Sequence, residues 1–133
     1  MNADELEVLV ASESSEDNFR AFSAGAEVSE WLALMARRPD LRVSIAHYQK
    51  HPKEIYEALA RDENRRVRWA LTVNMSTPEV ILEALSRDPD DGVRLRVASH
   101  PHVPAAVLAT MINDQDERVA EKAKARLVLL NGG

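Results

Sequence analysis

Apolar positions in this chain come in short runs that are separated by turns. Residues 77–85 place apolar side chains with the i, i+3, i+4 spacing of one helix face: Val80, Ile81, Leu82 and Leu85. Thr77 is predicted to be the N-cap of this helix and Pro78 its first residue. The following polar turn ends the helix, and Asp90 or Asp91 is predicted to cap the next one.

The second helix of this stretch is short. Val93 and Val97 lie one helical turn apart, and the helix must stop before His100-Pro101, because the residue before proline is disfavoured in the α conformation. Each stretch of this kind is therefore predicted to be a helix, a turn, a short helix and a turn. The chain is predicted to be all-α.

This pattern repeats every 26 residues. The residues that recur at this spacing are Pro52, Pro78 and Pro104; Leu59, Leu85 and Met111; Asp62, Asp88 and Asp114; and Val67, Val93 and Val119. An earlier copy fits when its turn is two residues shorter. We predict one domain over residues 1–133, made of repeats at about 28–51, 52–77, 78–103 and 104–130, after an acidic N-terminal capping segment at 1–27.

One helix pair cannot bury both of its faces, whereas stacked pairs can, so the repeats predict a short α-solenoid of about four units. Equivalent residues should then form buried ladders through the stack. The four predicted ladders are Trp31/Ile55/Ile81/Val107, Leu32/Tyr56/Leu82/Leu108, Met35/Leu59/Leu85/Met111 and Leu41/Val67/Val93/Val119.

The stretch "LSRDPDDGVRLRVASHPHVPAAVL" resembles the variant leucine-rich repeat (LRV) family, whose units run Leu-Ala-x-Asp-Pro, Val-Arg, Val-Ala-x-Asn-Pro, Pro and Leu-Leu. The resemblance covers about residues 28–127. It implies a right-handed, HEAT-like α-solenoid with a tendency to bind partners, and it does not point to any reaction. The iron–sulfur cluster known in this family is held by cysteines, and this chain has none.

The charge is uneven along the chain. The net charge is −5, and residues 1–27 hold seven acidic side chains and one basic one, so the body is nearly balanced. A balanced body argues against nucleic acid as the first choice of partner. The acidic segment is read either as a solvated capping helix, which we favour, or as a surface for a basic protein partner.

The chemistry-bearing residues give no enzyme signature. The sequence has no Gly-rich phosphate loop, no His-Glu-x-x-His and no nucleophile elbow, so we predict no catalytic residues, no cofactor and no metal. His100 and His102 lack a third ligand, and His100 aligns with Asn74, where a turn side chain would bond to backbone. No segment is apolar enough to span a membrane, and we expect a cytoplasmic monomer.

The aspartates at 62, 88 and 114 end first helices, and the arginines at 42, 68 and 94 begin second helices. We favour a ladder in which each arginine bridges to the aspartate of a neighbouring unit and to helix-end groups. The alternative is a phosphate-binding stripe for nucleic acid. Its residues would be Arg65, Arg66, Arg68, Arg94 and Arg96.

Trp69 is predicted to lie about 200° around its helix from Val67 and so to point away from the core. It then forms an apolar stripe on the second helices with Val43 and Leu95. An exposed tryptophan is a typical protein-binding hot spot; packing against arginine stems or a neighbouring helix is the open alternative. The predicted partner-binding groove consists of Val43, His47, Trp69, Val73, Leu95 and Ser99.

These observations predict a non-enzymatic protein-interaction module that binds a partner protein through its repeat surface. A more specific form is an inhibitor of the immunity-protein or antitoxin kind, which its small size and acidity suit. The alternative function is binding of a nucleic-acid backbone through the arginine stripe.

Overall fold

The computed structural model describes residues 2–12, 14, 16–17, 20, 25–47 and 50–132. None of these residues lies in a strand, and nine α-helices and one 3₁₀ turn can be delimited in them. The helices are α1 Ala3–Ala11, α2 Val28–Arg37, α3 Arg42–His47, α4 Lys53–Ala60, α5 Arg65–Val73, α6 Glu79–Leu85, α7 Asp91–Ser99, α8 Ala105–Met111 and α9 Glu117–Leu130, with the 3₁₀ turn at Pro39–Leu41 before α3. The predicted all-α repeat fold is confirmed.

The helices stack in two layers. The first helices α2, α4 and α6 pack against one another in order, and the second helices α3, α5, α7 and α9 do the same. Within a unit the first helix packs against the second, as α4 does against α5 and α8 against α9. Residues 26 apart therefore become neighbours in space, as the repeat predicted.

One continuous cluster of buried side chains runs through the stack, and it contains both Val67 and Val93. The predicted ladders lie in this core with one exception. Leu32 is 41% exposed, whereas its counterpart Tyr56 is buried. Because α1 packs against α2, the buried face of α2 includes Leu34 in place of Leu32.

The starts of the first helices differ from the prediction. Pro78 is the N-cap rather than the first helical residue, and its carbonyl accepts the N–H groups of Ile81 and Leu82. Thr77 is not the cap, because its hydroxyl donates to the carbonyl of Leu71 at 2.6 Å. The start of α7 agrees with the prediction, since the Asp90 side chain accepts the N–H groups of Gly92 and Val93.

The described part of the acidic segment caps the first unit. Leu6 and Val10 on α1 are buried in the common core. Glu7 accepts ion-paired hydrogen bonds from Arg37 and Arg38, each at 2.8 Å. These contacts support the capping interpretation, because an acid of this segment is used to neutralise arginines at the end of α2.

Candidate functional site

The aspartates and arginines form the ladder that the sequence favoured, which we call the Arg–Asp ladder. Each arginine reaches the aspartate twenty residues later, in the next unit. The pairs are Arg42–Asp62 at 3.1 Å, Arg68–Asp88 at 2.8 and 3.2 Å, and Arg94–Asp114 at 2.9 and 3.2 Å. The last two pairs are bidentate, the strong geometry for a guanidinium and a carboxylate.

The same arginines also hold turns of their own units. Arg68 donates to the carbonyl of Asp62 and Arg94 to that of Asp88, both at 2.7 Å. The side chain of Arg68 is only 12% exposed, and Asp114 raises the pKa of Arg94. The structure therefore places Arg68 and Arg94 inside the array, with their charges paired to aspartates.

A second set of contacts lies at the other end of the second helices, and we call it the donor ladder. Its members, Asn74, His100 and Arg126, are 26 residues apart and reach back to backbone carbonyls of the preceding unit. Asn74 Nδ2 donates to Ala46 at 3.0 Å, His100 Nε2 to Asn74 at 3.0 Å, and Arg126 Nη1 to Ala98 at 2.8 Å and to His100 at 2.6 Å.

The backbone bond expected for His100 is thus confirmed, but its place in a ladder between units was missed. Three different residue types fill equivalent positions, so residue identity gave no signal. What the three share is an N–H donor on a side chain long enough to reach the neighbouring unit. That property was the signal available in the sequence.

His100 is buried and neutral. Its Nδ1 accepts the N–H of His102 at 3.0 Å, so the ring proton is on Nε2, which donates to Asn74. Burial lowers the pKa of His100, and the nearby His102 and Arg126 act in the same direction. Both ring nitrogens are occupied, which leaves neither of them for a metal ion.

Trp69 lies where three successive units meet on the second-helix layer. Its side chain is 40% exposed. The guanidinium carbon of Arg96, on α7, is 5.7 Å from the centre of the indole. The ring of His47, on α3, meets the indole edge-on with centroids 6.3 Å apart. Trp69 thus contacts neighbouring helices, as the packing alternative predicted, and it also meets solvent; the hot-spot interpretation stays a prediction.

Four of the other predicted groove residues are more buried than Trp69, whereas His47 is exposed. Val43 and Leu95 pack against the core, Val73 is half-buried, and Ser99 donates its hydroxyl to the carbonyl of Leu95 at 2.9 Å. The predicted Val43–Trp69–Leu95 stripe is thus not a continuous exposed apolar surface. The face presents one half-exposed indole with a guanidinium and an imidazole beside it.

A groove of about 280 Å³ opens next to Trp69, and we call it the Trp69 groove. Its lining is formed by Arg65, Arg66, Trp69, Asp90, Gly92 and Val93. Gly92 occupies the position that is Arg66 in the second unit and Arg118 in the fourth, so the missing side chain leaves space at this place. Arg65 pairs with Asp90 at 3.2 Å.

The groups around Trp69 can bind by packing, hydrogen bonding and ion pairing. Within the part of the chain that the structure describes, no group of three or more His, Asp or Glu side chains is placed to hold a metal ion. No helix among these residues combines the length and apolar character needed to cross a bilayer.

No protein family, curated protein or solved structure matches the chain.

Proposed function

We propose that this protein is a non-enzymatic interaction module that binds a partner protein through the second-helix face around Trp69. The observation that carries the proposal is the half-exposed indole held between His47 and Arg96. Tryptophan and arginine are the side chains most enriched among residues that dominate binding energy at protein interfaces.

The array supports this function by holding the face rigid. The Arg–Asp ladder and the donor ladder cross between units at opposite ends of the second helices, so the helices that carry His47, Trp69 and Arg96 are fixed relative to one another. A surface that is already ordered loses less conformational entropy when it binds.

Two finer assignments belong to the same proposal. The resemblance to the LRV family supports a partner-binding role for a right-handed array. An inhibitory role, of the immunity-protein or antitoxin kind, is supported by the net charge of −5. Glu7 itself adds no argument for a basic partner, because it already pairs with Arg37 and Arg38 in the cap.

The test is affinity capture with the full chain and with Trp69→Ala, followed by mass spectrometry. We expect Trp69→Ala to lose a partner that the parent protein retains, with unchanged helical circular dichroism. Met75→Ala is the matched control, because Met75 is also exposed but lies after the end of α5. A partner that survives Trp69→Ala and is lost with Met75→Ala would contradict the proposal.

A further inference from the structure

We propose that the Trp69 groove takes an acidic segment of the partner protein, in which a carboxylate side chain lies beside an apolar one. This inference rests on the proposed function and adds the chemistry of the partner. The carboxylate pairs with Arg66 and Arg96, and the apolar neighbour packs on the indole of Trp69.

The charge around the groove carries the first step. Arg66 and Arg96 are exposed on α5 and α7. The ion pairs found among the described residues use Arg65, Arg68 and Arg94 on these helices, and none uses Arg66 or Arg96. Arg66 thus lines the Trp69 groove and the guanidinium of Arg96 lies over the indole, and no carboxylate of the described residues is paired with either.

The shape of the groove carries the second step. A Cβ at Gly92 would lie 3.0 Å from Asp90 Oδ1, the atom that caps α7, so a side chain at this position would press on the cap. The glycine keeps the flank of the indole open. In the second and fourth units the same position carries an arginine, so the glycine is particular to the third unit.

The surrounding acids favour a protein segment over a nucleic-acid backbone. Asp90 lines the groove and Asp91 is exposed at the start of α7. The whole chain has a net charge of −5. An extended polyphosphate would lie against these carboxylates, whereas a single acidic side chain can meet Arg66 and Arg96 alone. Guanidinium–carboxylate pairs are directional and short, which suits a point contact.

The experiment is selection of short random peptides displayed on phage against the full chain. We expect the enriched peptides to carry Asp or Glu next to an apolar residue and to lose binding to Trp69→Ala. The double variant Arg66→Glu/Arg96→Glu should weaken them by about tenfold or more. Peptides in which the acid is replaced by lysine should bind this double variant better than the parent protein.

The control is Arg87→Glu, which changes one charge after the end of α6, outside the groove, and should leave peptide affinity unchanged. Trp69-dependent peptides without acidic residues would overturn this inference and leave the proposed function standing. If no selected peptide depends on Trp69, both fail. A DNA oligonucleotide whose binding falls steeply with salt and is lost in the double variant would overturn the inference in favour of nucleic acid.

Discussion

The two ends of the second helices are joined to neighbouring units by different kinds of contact. At their N-terminal ends, the Arg–Asp ladder links each unit forward to the next by ion pairs between two charged side chains. At their C-terminal ends, the donor ladder links each unit backward, from one side chain to backbone carbonyls. Each of the three junctions from the first unit to the fourth is therefore held at both ends.

The two ladders differ in the range of residue types that each position accepts. A buried ion pair needs one particular partner, because a lone charge in a low-dielectric site is strongly disfavoured. A backbone carbonyl accepts from any N–H that reaches it. This explains why the Arg–Asp ladder keeps one residue type per position, while Asn74, His100 and Arg126 stand in equivalent places.

The largest effect is expected from breaking the Arg–Asp ladder at Asp88→Asn. The change leaves Arg68 charged and mostly buried without its carboxylate, so unfolding free energy should fall by about 3 kcal/mol. Urea denaturation measures it. Asp91→Asn is the control in the same turn: Asp91 is exposed and lies 3.7 Å from Arg118, so it should cost less than about 1 kcal/mol. Equal losses for the two variants would contradict the assignment.

A smaller effect is expected from breaking the donor ladder at His100→Leu. The buried Asn74 carbonyl and the partly buried His102 N–H then lose their partner, which costs about 1–3 kcal/mol. His100→Asn should recover part of this loss, because an asparagine there can donate to the carbonyl of Thr72, the residue aligned with Ala46. Urea midpoints compare the variants, and the interpretation fails if the leucine variant matches the asparagine one.

The smallest effect is a pH dependence of stability. Among the donor-ladder residues, only His100 should cause it. Its pKa in the fold lies below the ordinary value of 6.5, so the unfolded chain takes up the proton first as pH falls. Stability is therefore complete above about pH 6.5 and declines below it until the folded-state pKa is reached. Urea midpoints measured from about pH 7.5 to about pH 5 should fall more for the parent protein than for His100→Asn. Parallel curves would show that His100 does not titrate this way.

The fold could be predicted because identical residues at a fixed spacing report stacked units. The same logic gave the Arg–Asp ladder, since Asp88 and Arg68 recur with their neighbours. The repeat spacing wrongly predicted that Leu32 is buried, because α1, an element outside the repeat, packs against α2 and changes its buried face. The predicted N-cap role of Thr77 was also wrong, because its hydroxyl donates to the carbonyl of Leu71 in the preceding helix.

The exposure of Trp69 could be predicted from the sequence, but the side chains that contact it could not. Helical geometry placed Trp69 away from Val67, and the structure leaves it 40% exposed. The two side chains that flank it, His47 and Arg96, come from neighbouring units. Which side chains of adjacent units touch depends on the angle and offset between helices, and a single sequence does not contain these quantities. Gly92, by contrast, differs from Arg66 and Arg118 at the equivalent positions, and it lines the Trp69 groove.

The two ladders join the third unit to both of its neighbours through contacts that recur with the repeat. Its Asp88 pairs with an arginine of the second unit, its Arg94 pairs with an aspartate of the fourth, and its His100 needs only the carbonyl one period earlier. A duplicate of residues 78–103 spliced in after the original would meet a suitable partner on both sides. The array can therefore lengthen or shorten by whole repeats, and the contacts at each junction stay the same.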